Sequence, residues 1–563
     1  MKDIVLKYVL KNVLEFGSVN PKAVLGQVLR TNPELKKDVP EVLKKIETAA
    51  QEASRLSAKE VKVKLEKLAP ELLEEKEEEV KGPLKSLPNA EKGKVVVRIA
   101  PSPSGPLHIG HAYGGALNAA YAEMYNGKFI VRIEDTNPEN IYEPAYKLIE
   151  KDVKWLTGDK VSKIFIQSER LGIYYDYAEK LVNRGRAYIC TCDAGKWREM
   201  KNNGEACECR DMFVKEQQLR YAQMFSSYNE GEAGLRLKTD IKHKNPAMRD
   251  FAILRINEHV HPKIGKEQRV WPLMIFSVAI DDHEMGITHV LNGKDHADNA
   301  KKEMLIMDCF GWRHPEYKHW GRINFEGMPL SSSKTKLAIE QNEFTGWDDI
   351  RLPFLPALRK RGYQPEAFQK FASKIGLSLN DKTVSKEEFW KMIDAFNREI
   401  IEPKSNRQFF IANPFEVKVE GAPQKEIQMD LHPDFPQRGK RSLEVKDKIN
   451  LAEDDYNKLI EGKIHRLIDY GNFEIEKDQL KFISEDYKEY KEAKNRGLII
   501  HWLPVEDKLK VDVLLEDNSL LSGLGEKSME KLKVGDIVQL ERMFFARLDK
   551  IEKNKLVFWY LHR

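Results

Sequence analysis

A chain of 563 residues is too long for a single hydrophobic core, so its length predicts three or four domains. Hydrophobic residues make up 41% and charged residues 32%, and no apolar run reaches the ~18 residues of a membrane span, so the composition favours a globular protein without a membrane partner. The net charge of +4 is too close to neutral to indicate nucleic-acid binding by itself.

The first 93 residues have the pattern of a helical appendage. Apolar residues recur at helical spacing up to Gly17, which ends the first helix. Further helices are predicted from about 40 to 54 and from 58 to 80, where the acidic run 74–79 forms a solvated face. The opening residues lack the pattern of a signal peptide, which predicts a cytoplasmic protein. No chemistry is assigned to this appendage.

The stretch 95–112 contains the strongest local signal. A β-branched run over 95–99 predicts a buried strand, a Pro/Ser/Gly turn follows, and 110–124 predicts a helix. A strand, a tight turn and a helix N-terminus together form a site for phosphate, because unpaired N–H groups and the helix dipole point toward the turn. His108 and His111 lie three residues apart and can project to one side of the first helical turn.

The residues alone leave several interpretations of these histidines open. Gly110 between them has no side chain, which would let a nucleotide lie against the backbone. A small nucleotidylyltransferase with an H-x-G-H turn would have the same pattern. Two surface histidines on a helix are the plainest alternative. A zinc pair is disfavoured, because catalytic zinc takes three protein ligands and no third one is nearby.

A second buried strand is predicted at 128–133, and Glu134 and Asp135 follow its end. In open α/β sheets ligands bind at the carboxyl ends of the strands, so both carboxylates are expected near the histidine turn. Alternatively, Asp135 or Asn137 caps a helix predicted to begin near Glu139.

Two strings in this region resemble the glutamyl/glutaminyl group of the class I aminoacyl-tRNA synthetases. The first is R-I-A-P-S-P-S-G at 98–105 with H-I-G-H at 108–111, and the second is R-I-E-D-T-N-P at 132–138. The resemblance implies that His108 and His111 hold the ATP phosphates and stabilise charge on phosphorus while an aminoacyl-adenylate forms.

The same resemblance implies roles for four more residues. Glu134 would bind the α-amino group of the amino acid, a pairing that a buried carboxylate requires. Arg98 and Ser102 would reach the substrate from the first strand, and Ser102 and Gly110 would lie against ATP.

Four of the five cysteines form two pairs, Cys190-x-Cys192 and Cys207-x-Cys209, separated by a stretch with turn-forming residues. Two thiolate pairs on two tight turns can close a tetrahedral structural zinc site, and the alternative is four free thiols. The resemblance places this segment in an insertion, about 188–270, that receives the acceptor end of tRNA and holds zinc in some members. Cys309 is predicted to lie in the core.

The segments 271–283 and 287–296 resemble the helix and strand of the second half of the nucleotide fold. Two positions depart from the family, since Met274 replaces a usual Tyr and Asn292 replaces the Arg of glutamyl enzymes. Arg98 is then the one cation among the mapped positions that can pair with a substrate carboxylate. The resemblance places Met274 and Asn292 against the amino acid and Asp295 against the ATP nucleoside.

The string L-S-S-S-K at 330–334 contains a Ser/Lys run, 331–334, that predicts a flexible loop. Such a loop could close over a triphosphate with hydroxyl and ammonium donors. Alone, such a run indicates only a loop. With G-W-D-D-I-R-L-P and L-R-K-R-G downstream, it resembles the KMSKS loop in the form found in archaeal-type glutamyl enzymes. The resemblance implies that Lys334 is the phosphate cation and that Ser332 and Ser333 contact ATP.

The remainder divides into a helical part and a strand-rich part. Residues 335–405 predict helices, and many short strands after 411 predict closed or partly closed β-barrels. The strands are predicted at 416–419, 510–515, 537–540 and 556–560. The strings L-H-P and R-G-K-R at 431–441 resemble the start of the β-barrel anticodon domain of archaeal-type glutamyl and of glutaminyl enzymes. Basic loops beside aromatic strands can bind unpaired bases, although solvated charge is the simpler explanation for most lysines.

Together these patterns predict a multidomain α/β plus all-β protein with a Rossmann-type nucleotide-binding catalytic domain. The expected divisions are 1–93, an N-terminal helical appendage; 94–330, the catalytic domain with its insertion; 331–410, the KMSKS-like loop and a helical stem-contact region; and 411–563, the β-barrel anticodon-binding domain.

The resemblance implies an archaeal-type glutamate-tRNA ligase that uses ATP with Mg²⁺, contains a structural Zn²⁺, and joins glutamate to tRNA(Glu) through a glutamyl-adenylate. tRNA(Gln) stays open as a second acceptor, and no DNA or membrane partner is implied. Two alternatives remain: a glutaminyl-tRNA synthetase, prompted by Met274 and Asn292, and an RNA-binding paralogue that does not activate an amino acid.

Overall fold

The structure, a computed structural model, describes residues 2–16, 19–69, 84–446, 448–477, 479–506 and 508–563. The chain divides into two units, Met1–Gly82 and Pro83–Arg563. The acidic run 74–79 and the end of the helix predicted over 58–80 lie outside the described residues. Among the described helices, none has the length and apolar character needed to cross a membrane. The cytoplasmic location stays a prediction.

The first unit packs amphipathic helices around an aliphatic core that includes Val9 and Ile46. Its helices are α1 Lys2–Phe16, α2 Pro21–Thr31, α3 Val39–Ala53 and α4 Ala58–Leu68. Ser57 and Glu60 form a reciprocal capping box that starts α4. The predicted helices α1 and α3 are confirmed, whereas α2 was not predicted.

The second unit begins with a region of alternating strands and helices. In chain order its elements are β1 Val96–Ile99, α5 Ile109–Met124, β2 Lys128–Ile133, α6 Ala145–Thr157, β3 Lys163–Ile166, α7 Leu171–Asn183, β4 Ala187–Cys190, α8 Ala194–Asn203, α9 Val214–Met224, β5 Gly234–Leu237, β6 Ala252–Ile256, β7 Val270–Pro272, α10 Met274–Glu284, β8 His289–Gly293, α11 Ala297–Asp308, β9 Glu316–Trp320 and β10 Ile323–Phe325.

The nucleotide-fold strands are all parallel. β1 pairs with β2 and β2 with β3, while β8 pairs with β9. The Thr288 amide donates to the Val96 carbonyl at 3.0 Å, so β8 lies beside β1 and the strand order is β3-β2-β1-β8-β9. The carboxyl ends of these strands therefore meet at one edge, as expected for the predicted Rossmann-type nucleotide-binding domain.

Helix α5 lies close against this sheet because small residues line its inner side. A Cβ added at Gly115 would stand 3.7 Å from Ile99 Cδ1 of β1 and only 3.0 Å from Leu156 Cδ2 of α6, a separation that real Cβ atoms rarely show. The helix begins at the end of the Pro/Ser/Gly turn that contains His108, as predicted.

An inserted antiparallel sheet, β4-β5-β6-β7, separates the two halves of the nucleotide fold. The inserted segment contacts the carboxyl edge of the parallel sheet through His261, whose Nε2 lies 3.0 Å from the carbonyl oxygen of Asp135, just after β2. The His261 ring stacks on Trp271 with centroids 5.0 Å apart.

The region after β10 is mostly helical, with one strand that was not predicted. Its elements are α12 Ser332–Glu340, α13 Leu355–Arg361, α14 Pro365–Ile375, β11 Lys382–Val384 and α15 Lys386–Ile401. β11 pairs in parallel with β10. The loop predicted over 331–334 is wrong for its last three residues, because the Ser331 side chain accepts from the Lys334 amide and starts α12 at Ser332.

The remainder is rich in short strands, as predicted. It contains β12 Asn406–Gln408, β13 Phe410–Ala412, β14 Pro414–Glu420, β15 Lys425–Asp430, β16 Lys440–Val445, β17 Lys448–Ala452, α16 Glu453–Tyr456, β18 Ile464–Leu467, β19 Gly471–Glu476, β20 Gln479–Ser484, α17 Tyr487–Glu492, β21 Arg496–Ile500, β22 Leu503–Pro504, β23 Lys508–Leu514, β24 Leu520–Glu526, β25 Ile537–Leu540, β26 Phe544–Glu552 and β27 Lys555–His562.

These strands form two seven-stranded sheets and a hairpin. One sheet has the order β12-β25-β26-β27-β23-β24-β13, the other has the order β21-β18-β19-β20-β14-β17-β22, and β15 pairs with β16. Arg441 of the hairpin forms a buried ion pair with Glu526 at the end of β24. Glu526 also accepts from the Phe409 amide at 2.6 Å.

We expect Glu526→Ala to lower the free energy of unfolding by about 3–5 kcal/mol, because the substitution removes the fully buried partner of the Arg441 guanidinium, leaves it only the ion pair with Glu541, and deprives the Phe409 amide of its acceptor. Urea denaturation measures this change. Lys481→Ala, which removes an exposed ion pair with Glu476, serves as the control and should change stability by about 1 kcal/mol or less. An equal effect of both substitutions would contradict the prediction.

Candidate active site

A cavity of about 340 Å³ lies at the carboxyl edge of the parallel sheet. The first strand and its helix contribute Arg98, Ser102, Gly110 and His111 to its lining. The second strand and the second half of the fold contribute Glu134, Met274, Asn292 and Asp295. Residues from distant parts of the chain, predicted separately to contact ATP and the amino acid, therefore line one cavity.

The two histidines of the phosphate turn hold each other in place. His108 Nδ1 accepts from the Gly110 amide at 3.1 Å, and His111 Nδ1 accepts from the His108 amide at 3.4 Å. Their rings stack with centroids 3.8 Å apart. Since each Nδ1 is an acceptor, the proton of each neutral ring is on Nε2, which can donate to a ligand.

Burial keeps both rings neutral. It lowers the pKa of His111 to about 4 and, together with the neighbouring ring of His111, lowers the pKa of His108 well below its usual value. At neutral pH these side chains therefore act as hydrogen-bond donors and not as cations.

The residues predicted to close over the ATP phosphates lie beside the Pro/Ser/Gly turn before α5, but they do not line the cavity. A Cβ added at Gly105 would stand 3.1 Å from Ser332 Cβ, so the start of α12 packs directly against the turn. Ser333 lines a separate hollow with Ser104. Lys334 is exposed on the first turn of α12. The structure thus brings His111 and Glu134 into one cavity and leaves His108, Ser332, Ser333 and Lys334 outside its lining.

A buried ion network, which no sequence motif predicted, lies at the part of the cavity that Arg98 and Glu134 line. Arg98 makes a bidentate pair with Asp282, at 3.0 and 2.8 Å, and Arg132 Nη1 donates to the same carboxylate at 2.7 Å. Arg132 also contacts Glu134 at 3.3 Å. Charges buried this deeply persist only in complete pairs.

Arg98 therefore differs from the free cation expected from the sequence. Its Nε and Nη2 are committed to Asp282, and within the described residues its Nη1 has no hydrogen-bond partner. The signal that could have found the partner is the D-D pair at 281–282, two acidic residues at the end of an apolar helical run.

Asp281 extends the network to the first half of the fold. Its carboxylate accepts from Arg170 Nε at 2.8 Å, from the Tyr174 hydroxyl at 2.7 Å and from Gln167 at 3.1 Å. These bonds hold helix α10, and with it Met274, at the cavity.

The two carboxylates that follow β2 have different functions. Burial raises the pKa of Glu134, and Arg132 only partly opposes this effect, so a ligand ammonium would complete the pairing. Burial also acts to raise the pKa of Asp135, but hydrogen bonds from His261, Ser168 and Tyr146 outweigh it and lower that pKa. The helix predicted to begin near Glu139 is only a short 3₁₀ turn, Pro138–Asn140, and Asn137 before it makes no side-chain capping hydrogen bond. Asp135 caps no helix either, because α6 begins only at Ala145.

The second half of the fold adds two side chains that the sequence did not single out. His319 Nδ1 lies 2.7 Å from Asn292 Oδ1 and orients that amide. Glu303 of α11 lines the cavity while only 5% exposed, and its Oε2 accepts from the Tyr317 hydroxyl at 3.1 Å.

The predicted metal-ligating cysteines lie together in the insertion. The four Sγ atoms of Cys190, Cys192, Cys207 and Cys209 lie within 4.8 Å of one another. The distances Cys190–Cys207 and Cys192–Cys209 are both 3.9 Å. A tetrahedral zinc with Zn–S bonds near 2.3 Å separates its sulfurs by about 3.8 Å, so the arrangement fits that ion. Cys309, predicted to lie in the core, is instead half-buried and packs against the edge of a cluster that the insertion shares with α7, α10 and α11.

Comparison with models of known protein families shows which family the chain belongs to. Residues 94–403 match the model for the catalytic domain of class I tRNA synthetases (E and Q). The chain belongs to this synthetase family. Two later segments of the synthetase, 405–493 and 499–549, match models for the anticodon-binding domain of the same family.

Relatives similar to this synthetase cover it completely. It is 42% identical over 566 residues to the glutamate–tRNA ligase of Methanobrevibacter smithii and 44% identical over 579 residues to that of Pyrococcus abyssi, with all of each chain covered. A crystal structure of a glutamate tRNA ligase from Elizabethkingia meningosepticum, in complex with its amino acid, aligns with a TM-score of 0.40 at 20% identity, over 56% of this chain and 70% of that one.

The half-buried histidine pair makes stability depend on pH. The pKa of His111 is about 4 in the folded protein and about 6.5 in the unfolded chain, so its contribution is complete above pH 6.5 and is lost as the pH falls toward 4. Allowing for partial exposure of the ring, we expect the synthetase to lose about 1–2 kcal/mol more than His111→Gln between pH 7 and pH 5. Urea titrations at both pH values test this; equal losses would contradict it.

Proposed function

We propose that this synthetase joins glutamate to tRNA(Glu) in two steps, through an enzyme-bound glutamyl-adenylate. The observation that carries the proposal is the single cavity that is lined both by the neutral His111 of the H-I-G-H turn and by Glu134. In the first step an α-carboxylate oxygen of glutamate attacks the α-phosphorus of ATP, and pyrophosphate leaves. In the second step the terminal 2′-hydroxyl of tRNA attacks the adenylate carbonyl, and AMP leaves.

The phosphate side needs positioning and charge stabilisation but no protein nucleophile. Nε2 of His108 and of His111 would donate to phosphate oxygens, next to the free amides of the first turn of α5. Mg²⁺ would arrive with the ATP phosphates and neutralise part of their charge. Ser332, Ser333 and Lys334 would approach ATP by movement of the first turn of α12, with Lys334 neutralising the leaving pyrophosphate. Asp295 and Ser102 would contact the nucleoside side.

On the amino-acid side, Glu134 would bind the substrate ammonium. Arg98, Met274 and Asn292 would contact the remainder of the amino acid. The insertion would receive the acceptor end of tRNA, and the strand-rich region would bind the anticodon. The charging assay described below also measures whether tRNA(Gln) is a second acceptor.

The decisive experiment charges transcribed tRNA(Glu) and tRNA(Gln) with labelled glutamate or glutamine. We expect glutamate on tRNA(Glu), and we expect His111→Ala to reduce adenylate formation by about 10²–10³-fold because a donor to the transition state is lost. Pyrophosphate exchange in the presence of tRNA measures that step. tRNA affinity, measured by filter binding, should change little.

His314→Ala, at a partly exposed histidine paired with Asp308, is the matched control and should retain activity. Charging with glutamine alone would favour the glutaminyl alternative, which Met274 and Asn292 prompt. No activation of either amino acid would overturn the proposal in favour of a paralogue that only binds RNA.

We also propose that the four-cysteine cluster binds a structural zinc ion. A zinc ion would neutralise the thiolates and hold the turn after β4 to the segment that follows α8. Arg220 Nη1, 3.6 Å from Cys209 Sγ, would further balance the negative charge of a four-thiolate site.

We expect the purified protein to contain one zinc per chain and Cys207→Ser to lose it, because structural zinc requires four ligands. Elemental analysis by mass spectrometry measures the metal. Cys309→Ser, outside the cluster, should retain zinc. A metal-free parent protein, or full zinc in Cys207→Ser, would show that the cluster is four free thiols.

A further inference from the structure

Three polar side chains that line the cavity have hydrogen-bonding atoms without a partner. Within the described residues, Arg98 Nη1, Asn292 Nδ2 and Glu303 Oε1 have no hydrogen-bond partner, and all three side chains line the cavity. Met274 lies beside them as the apolar wall. The subsite therefore offers two donors and one carboxyl group to a ligand.

The charges around this subsite do not balance if every carboxyl group is ionised. The buried network contains three guanidinium groups and four carboxyl groups. The guanidinium groups are those of Arg98, Arg132 and Arg170, and the carboxyl groups are those of Glu134, Asp281, Asp282 and Glu303. A substrate ammonium would compensate the excess negative charge, but the side-chain carboxylate of glutamate would restore it beside Glu303, where like charges repel strongly.

We propose that Glu303, in its protonated form, is a specificity-determining residue that donates its O–H to the side-chain carboxylate of the substrate. Arg98 Nη1 and Asn292 Nδ2 donate to the same carboxylate. In this arrangement the substrate carboxylate accepts hydrogen bonds from the Glu303 O–H, from the neutral Asn292 amide and from Arg98, whose charge is balanced by Asp282. No separate, unpaired cation is needed. It rests on the proposed function, because it concerns the amino acid bound at that same site.

The surroundings of Glu303 favour the protonated form. Burial and the nearby Asp282 of α10 raise the pKa of Glu303 to about 7, while Arg98 of β1, the Tyr317 hydroxyl of β9 and Arg132 of β2 oppose the rise. Glu134 and His296 face the same cavity. A substrate carboxylate at hydrogen-bonding distance would raise the pKa further, so glutamate binding takes up a proton when the pH exceeds about 7.

The ionised form of Glu303 has the opposite preference. A carboxylate accepts hydrogen bonds only, so above its pKa Glu303 would accept from the amide N–H of glutamine and repel glutamate. Discrimination between the two amino acids therefore decreases as the pH rises.

The test compares the parent synthetase with Glu303→Gln, whose side chain stays neutral and can still donate. In pyrophosphate exchange with tRNA present, we expect the parent KM for glutamate to rise about tenfold from pH 6 to pH 8, with no comparable rise in the variant. Calorimetry in buffers of different ionisation enthalpy should show uptake of about one proton per glutamate bound at pH 8 by the parent and none by the variant.

Asp394→Asn is the matched control. Asp394 is a half-buried carboxyl group that, like Glu303, accepts from a tyrosine hydroxyl, that of Tyr363 at 2.7 Å, but it does not line the cavity. Burial raises its pKa to about 6, and the variant should keep the parent dependence of KM on pH. Parent binding of glutamate without proton uptake at pH 8, or the same pH dependence of KM in Glu303→Gln, would overturn the inference. Failure to activate glutamate at any pH would instead overturn the proposed function.

Discussion

The structure of the active site depends on one shared carboxylate, Asp282, which pairs with both Arg98 and Arg132. These three residues belong to α10, β1 and β2, so their ion pairs join the two halves of the nucleotide fold across the insertion. Each charge is almost completely removed from water and persists only because its partners are present. The relative positions of the first strand, the second strand and the helix that carries Met274 are therefore strongly constrained.

This network divides the cavity into two electrostatically different parts. On the phosphate side the histidine rings are neutral, and the donors are imidazole N–H groups and helix amides. On the amino-acid side the groups are charged but nearly balanced within the protein. A triphosphate brings its own negative charge and its metal ion, whereas an amino acid brings an ammonium that Glu134 can pair with. Each part thus suits the charge of the ligand we assign to it.

The insertion is held to this centre by contacts that involve no substrate. Asp135 accepts from Ser168 and Tyr146, and its carbonyl oxygen meets His261 at the end of the insertion. The residue next to Glu134 thereby connects the amino-acid side to the sheet that carries the cysteine cluster. Such a connection gives the insertion a defined orientation, which the acceptor end of a tRNA would require.

Local sequence determined the strands and helices with strong periodicity, the turn with His108 and His111, and the clustering of four cysteines, because these features depend on neighbours a few residues apart. It also determined the family, through strings such as R-I-A-P-S-P-S-G that have a fixed order along the chain. Its loop over 331–334 was wrong because one side-chain cap, from Ser331 to the Lys334 amide, starts a helix there.

Only the tertiary structure decided which charges are free. Arg98 and Glu303 are 205 residues apart in the sequence, and nothing local indicates that one is paired with Asp282 while the other faces the substrate cavity. Burial and pairing set the protonation state of each group, and both arise from contacts between elements distant along the chain. For that reason the ligand class could be predicted from motifs, whereas the chemistry of the side-chain subsite required the fold.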